Sequence, residues 1–158
     1  MYLPEIDYVD VWSFPIMGPD AVDDVPAKFV DACQAVGRDL QCRWHGPSTY
    51  MQNCVWTVST LDDGYCHLAL DAGPRPRHKT AGTSPLMGFG FGVPHIEQTQ
   101  ELTALIAGEV QDQLAGGPSY VQWPIEKNRL LMPSFRDGRA VWVVRSSDRV
   151  VAEIGALV

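Results

Sequence analysis

The chain has 158 residues, 46% of them hydrophobic and 20% charged, and a formal net charge of −7. The length fits one α+β domain over residues 1–158 with a sizeable core, and the composition excludes a disordered chain. The acidic balance argues against nucleic acid or anionic lipid as a partner, because proteins bind both by neutralising phosphates.

No stretch approaches the roughly 18 apolar residues of a membrane span. The opening Met1–Asp7 carries acids where a signal peptide needs basic residues. The expectation is a cytoplasmic protein with no membrane partner. Cys33, Cys42, Cys54 and Cys66 contain no Cys-x-x-Cys pair, and in a reducing compartment such residues act as small buried thiols.

Tyr8–Phe14 reads as a first strand, ended by Pro15, Gly18 and Pro19. Asp24-Val25-Pro26 reads as a helix start, with an acid near the cap and proline in the first turn. Val25, Phe29, Ala32, Cys33 and Val36 follow at helical spacing as one apolar stripe, and Gly37 reads as its C-terminal cap. Leu40–His45 alternates with period 2, which predicts a strand with Leu40, Cys42 and Trp44 inward.

Gly46-Pro47-Ser48 breaks the chain, and a hairpin is predicted from Asn53 to Asp71. A three-residue loop, Asp62-Asp63-Gly64, pairs Trp56 with Leu70, Val58 with Leu68 and Thr60 with Cys66. That register puts Cys54, Trp56, Val58, Cys66, Leu68 and Leu70 on one face; a one-residue slip would scatter them. Gly73–Pro85 reads as a long loop with a basic cluster, Arg75, Arg77, His78 and Lys79. In the segment that follows, Gly88, Gly90 and Gly92 alternate with Phe89 and Phe91. The third glycine comes one residue too early for a dinucleotide fingerprint. Period 2 instead places both phenylalanines on one face and lets a neighbouring backbone or a flat ligand approach the glycine face.

A second helix is predicted over Ile96–Leu114, with Leu102, Leu105, Ile106, Val110 and Leu114 inward and Glu101, Glu109, Gln111 and Asp112 outward. Strands are predicted over Tyr120–Trp123, Arg129–Phe135, Arg139–Arg145 and Arg149–Gly155. Asp137-Gly138 is the preferred dipeptide of a tight type I′ hairpin turn. The predicted architecture is α+β: a single antiparallel sheet of about six to seven strands with two helices packed on one face.

Chemical signatures are sparse. Cys66 and His67 are adjacent, and adjacent strand residues face opposite ways. The histidines and cysteines lack the paired spacing of a zinc site, so neither metal nor cofactor is expected. Asp62-Asp63 is accounted for by its turn and Asp23-Asp24 by a helix start. An enzyme is therefore not the leading reading.

The segment from about residue 97 to 157 resembles a group of small uncharacterised actinobacterial proteins. Trp123-Pro124, Asp137-Gly138-Arg139-Ala140-Val141-Trp142 and Val150-Val151-Ala152-Glu153-Ile154-Gly155 carry the likeness. Members of that group often place cysteine and histidine just after the Trp-Pro and after the later tryptophan. This chain has Ile125-Glu126-Lys127-Asn128 and Val143-Val144-Arg145 there, so the resemblance implies no metal site.

The sequence favours a non-enzymatic protein-binding domain, such as an immunity or inhibitor protein, acting on a cationic partner. Its candidate contact residues are Asp20, Asp23, Asp24 and Trp12. Trp123 and Trp142 are also placed near prolines or on edge strands, where an exposed tryptophan would anchor an interface. The alternative is a small-ligand-binding domain or small enzyme, with Arg75, Arg77 and His78 closing over an anionic ligand on Phe89 and Phe91. A deep apolar pocket beneath those phenylalanines would favour the ligand; a shallow acidic surface with exposed aromatics would favour a protein.

Overall fold

The computed structural model describes residues 8–18, 24–46, 48–51, 53–71, 83–85, 88–117 and 120–158. Its elements are β1 (Asp10–Pro15), α1 (Ala27–Asp39), β2 (Ser48–Tyr50), β3 (Val55–Thr60), β4 (Cys66–Asp71), β5 (Thr83–Pro85), β6 (Phe89–Val93), α2 (Thr99–Gly116), β7 (Ile125–Glu126), β8 (Arg129–Arg136), β9 (Arg139–Val144) and β10 (Arg149–Glu153). The fold is α+β, but the expected single sheet is replaced by two antiparallel four-stranded sheets. The N-terminal sheet has the order β1-β3-β4-β6 and the C-terminal sheet β10-β9-β8-β7. A short parallel pair, β2 with β5, stands apart from both, within segments read from sequence as a break and a loop.

The sheets stay separate because the two segments that would have bridged them are not strands. Gly37 does not cap α1; the helix runs through it to Asp39, and Leu40 is still in right-handed helical geometry. The alternation Leu40–His45 is therefore the tail of a helix followed by a turn. Leu40 is fully buried, Cys42 and Trp44 only partly, and the Trp44 indole N–H donates to the Leu40 carbonyl at 2.7 Å. Tyr120–Trp123 likewise forms no strand. The two segments meet only as an isolated bridge, in which His45 and Gln122 exchange backbone bonds of 2.9 Å each way.

Local chemistry set the hairpins as predicted. β3 and β4 pair Trp56 with Leu70, Val58 with Leu68 and Thr60 with Cys66. Leu61 N–H reaches Tyr65 O at 2.8 Å across the loop, where Gly64 takes the left-handed conformation with φ +84°. At the β8–β9 turn, Asp137 and Gly138 have φ of 50° and 77°, the two positive values a type I′ turn requires. Lys127 and Asn128 repeat that geometry between β7 and β8, with φ of 49° and 65°.

Both helices lie against the inner faces of the sheets, and one core cluster joins them all. It contains Phe14, Trp56, Leu68 and Phe91 from the first sheet, Phe29, Cys33 and Val36 from α1, Ile106 and Val110 from α2, and Leu131 and Trp142 from the second sheet. From Phe29 to Leu40, only Asp31 and Arg38 of α1 are exposed. Gln34 reaches back to the Pro15 carbonyl, while Ala35 and Arg38 touch Gly155 at the other end of the chain. In α2, Gln111 does not point outward as its polarity suggested. It is buried, and its amide N–H2 donates to the Trp123 carbonyl at 3.0 Å and the Leu131 carbonyl at 2.6 Å. Those carbonyls belong to irregular backbone and a sheet margin, and a buried carbonyl without a donor is costly.

Gly37 is fixed by close approach rather than by a turn. A Cβ built on it would lie 1.9 Å from the Ile16 carbonyl oxygen, so backbone meets backbone there. Gly37→Ala is expected to push β1 and α1 apart and destabilise the fold by about 1–3 kcal/mol, the cost of overpacking. Urea unfolding of the variant checks this; a stability equal to that of the parent would contradict the contact.

Candidate functional site

Of the partner-binding residues read from sequence, Asp20 and Asp23 lie outside the described residues, as do Arg75, Arg77 and His78. Asp24 is exposed, with φ +67° just ahead of α1. Trp12 is half-buried on the inner face of β1, opposite Val58 and packed against the core. Trp123 and Trp142 are not interface anchors: both are fully buried, edge to face at 5.1 Å between ring centroids.

Phe89 and Phe91 share one face, as their spacing required, and that face is the core face. Phe91 is buried opposite Leu68 and Phe89 is half-buried opposite Leu70. The glycine face is taken up by a neighbouring side chain at Gly90 and is open at Gly92. A Cβ on Gly90 would come within 2.6 Å of the His67 ring, which lies on the adjacent strand. The aromatic segment is thus used in packing.

Two open depressions are found among the described residues. One, about 610 Å³, runs along Arg129, Leu130, Val144, Arg145 and Ser146. The other, about 470 Å³, lies where α1, the start of α2 and β10 meet, lined by Asp31, Arg38, Thr99, Gln100 and Glu153 among others. Neither touches Phe89 or Phe91.

Asp39 is the one carboxylate fully buried among the described residues. A buried acid of this kind can mark a catalytic site, but Asp39 is committed to packing. Its Oδ2 accepts the Trp142 indole N–H and the Gly155 amide, both at 2.7 Å, and its Oδ1 accepts the Leu157 amide at 3.1 Å. The Asp39 carbonyl accepts the Trp123 indole N–H at 2.9 Å. Burial raises its pKa, and the hydrogen bonds and nearby Arg38 offset this in part. Burial also pushes the Cys33 thiol well above its ordinary value and raises Cys42 and Cys66, the nearby Asp39 carboxylate adding to the effect at Cys42. These three thiols are therefore poor nucleophiles. No three His, Cys, Asp or Glu side chains among the described residues gather around a point that would hold a metal ion.

The remaining feature is a surface. In the four strands of the N-terminal sheet and the β3–β4 loop there is no Lys or Arg, whereas Asp10, Asp62, Asp63 and Asp71 are all exposed. None of the four carboxylates forms an ion pair among the described residues. Val9, Val11 and Tyr65 are also exposed in or beside this sheet. On the C-terminal sheet, Arg136, Arg139 and Arg149 pair with Asp148, Glu153 and Glu126. Sequence reading placed the acidic patch around Asp20–Asp24; in the structure Asp10 and the Asp62-Asp63 loop lie at one end of the N-terminal sheet and Asp71 at the other. No helix among the described residues is long and apolar enough to cross a membrane. Comparison with family models, curated proteins and solved structures finds no match.

Asp39→Ala leaves one buried donor, the Trp142 indole, and two part-buried amides without an acceptor and is expected to cost at least about 1–3 kcal/mol, the penalty of one orphaned buried group. Because burial raises the folded pKa above the unfolded one, the folded chain takes up this proton first on acidification. The contribution of Asp39 to stability therefore rises as pH falls through its folded pKa and levels off below the unfolded value of about 3.9. Asp39→Asn removes that rise. Urea unfolding at stepped pH checks both variants; identical pH slopes for parent and Asp39→Asn would contradict the assignment.

Proposed function

We propose that the chain is a non-enzymatic protein-binding domain that docks a basic partner on its N-terminal sheet. The observation behind this reading is the absence of Lys and Arg from that sheet beside four exposed carboxylates without ion pairs among the described residues. Like charges without counter-charges repel one another, and a cationic partner relieves that cost on binding. Exposed Val9, Val11 and Tyr65 add apolar area where the partner would sit, and a tyrosine in an interface buries a large ring while keeping its hydroxyl hydrogen-bonded. Blocking a partner's site in this way is how an immunity or inhibitor protein acts. A cytoplasmic location fits the free thiols of Cys33, Cys42 and Cys66.

The ligand-binding alternative loses its main support, since Phe89 and Phe91 are used by the core. What it retains is the basic cluster Arg75–Lys79, which lies outside the described residues.

A photo-crosslinking amino acid at Tyr65, and in a second protein at Val150 on the C-terminal sheet, tests this in host lysate. The expected result is one dominant protein adduct from position 65, through a Lys/Arg-rich segment, with a yield that falls as salt rises. Equal adducts from both positions, or a salt-independent yield, would contradict the reading.

A further inference from the structure

Among the described residues β1 is an edge strand, and its outer side has no paired strand there. Ile16 N–H bonds to Cys54 O at 3.0 Å, and Leu61 N–H bonds to Tyr65 O on the other side of β3. Hydrogen-bonded and non-bonded pairs alternate along an antiparallel ladder. The even-numbered residues of β1 therefore turn their backbone groups toward β3, and Val11, Ser13 and Pro15 turn theirs outward. The close contact between the Ser13 and Thr57 hydroxyls, 3.2 Å, is the signature of a non-bonded pair and agrees.

The two ends of that outer side differ. Pro15 has no N–H, and its carbonyl is met by the Gln34 amide of α1 at 3.5 Å. Among the described residues, the backbone of Val11 and Ser13 has no partner on this side, and both residues are exposed. Unpaired backbone groups of this kind recruit another strand. The surroundings select its chemistry. Alternate residues of an added strand would lie beside exposed Val11 on one face, and beside Asp10 and the half-buried Trp12 on the other.

We infer that β1 is a strand-addition site, taking an extended partner segment that alternates apolar residues with Lys or Arg and pairs with the backbone of Val11 and Ser13. The cationic residues face Asp10 and the Trp12 ring, a charge pair beside a cation–π contact. This rests on the reading above for the partner's charge, and on the ladder geometry for the mode of binding.

The probe is a capped heptapeptide alternating Val and Lys, with a Val/Glu peptide and an alternately N-methylated Val/Lys peptide as controls. Amide exchange of the intact protein is followed residue by residue by NMR. The expected result is that the Val/Lys peptide slows exchange at Val11 and Ser13 at least about tenfold, while the N-methylated peptide, which cannot complete the ladder, binds at least about tenfold more weakly. Binding of both Lys peptides alike, without protection at Val11 and Ser13, would overturn strand addition and leave the acidic docking surface standing. Equal binding of the Glu peptide would overturn the charge selection on which both rest.

Discussion

The structure depends on one buried carboxylate. Asp39 ends α1, and its two oxygens accept hydrogen from Trp142 in the middle of the C-terminal sheet and from Gly155 and Leu157 near the end of the chain. A carboxylate out of contact with water is tolerable only when its lone pairs are filled. Three donors fill them, and a fourth, the Trp123 indole, takes the carbonyl of the same residue. The helix terminus gains acceptors for donors that come from two remote parts of the sequence. The C-terminal sheet and the chain end are thereby fixed to α1, and the N-terminal sheet meets the same helix through Gln34 and Gly37.

The other polar contacts in the interior follow the same logic. Gln111 does for the irregular segment at Trp123 and the margin of β8 what Asp39 does for the chain end. Gly37 lets Ile16, the residue after β1, come within backbone contact of α1 from the opposite side. α1 is therefore clamped between the halves, and a helix buried on nearly all sides needs small residues where it is approached most closely. With the interior spent on this clamp, the buried polar groups Asp39, Gln34 and Gln111 are engaged in packing.

The sequence made the hairpins legible because their determinants are local. Asp62-Asp63-Gly64 and Asp137-Gly138 fix loop length and backbone sign within a few residues, and the side-chain alternation then fixes register. The failures were of another kind. Leu40–His45 carries a period-2 pattern over only six residues, and such a short apolar pattern is ambiguous between a strand and the tail of a helix. Gly37 looked like a cap because a cap and a close approach both ask for glycine. Gln111 looked like a surface residue because the carbonyls it serves lie 12 and 20 residues further along the chain. The acidic character was legible only as a net charge, since which carboxylates stay exposed on the N-terminal sheet and its loop, Asp10, Asp62, Asp63 and Asp71, depends on how the strands pair. Trp123 and Trp142 were placed wrongly for the same reason: their indole donors find acceptors on α1, far away in sequence.

If the Asp39 joint holds the two sheets as one cooperative unit, its donors cannot open without global unfolding. Native-state hydrogen exchange under graded denaturant measures this directly. The Trp142 indole N–H and the Gly155 and Leu157 amides are expected to exchange with the same opening free energy as the Trp56 indole N–H, which bonds to Ile16 O at 3.2 Å inside the N-terminal half. Exchange of the Trp142 and Gly155 protons at a markedly lower free energy than Trp56 would contradict the account, because the C-terminal sheet would then open on its own.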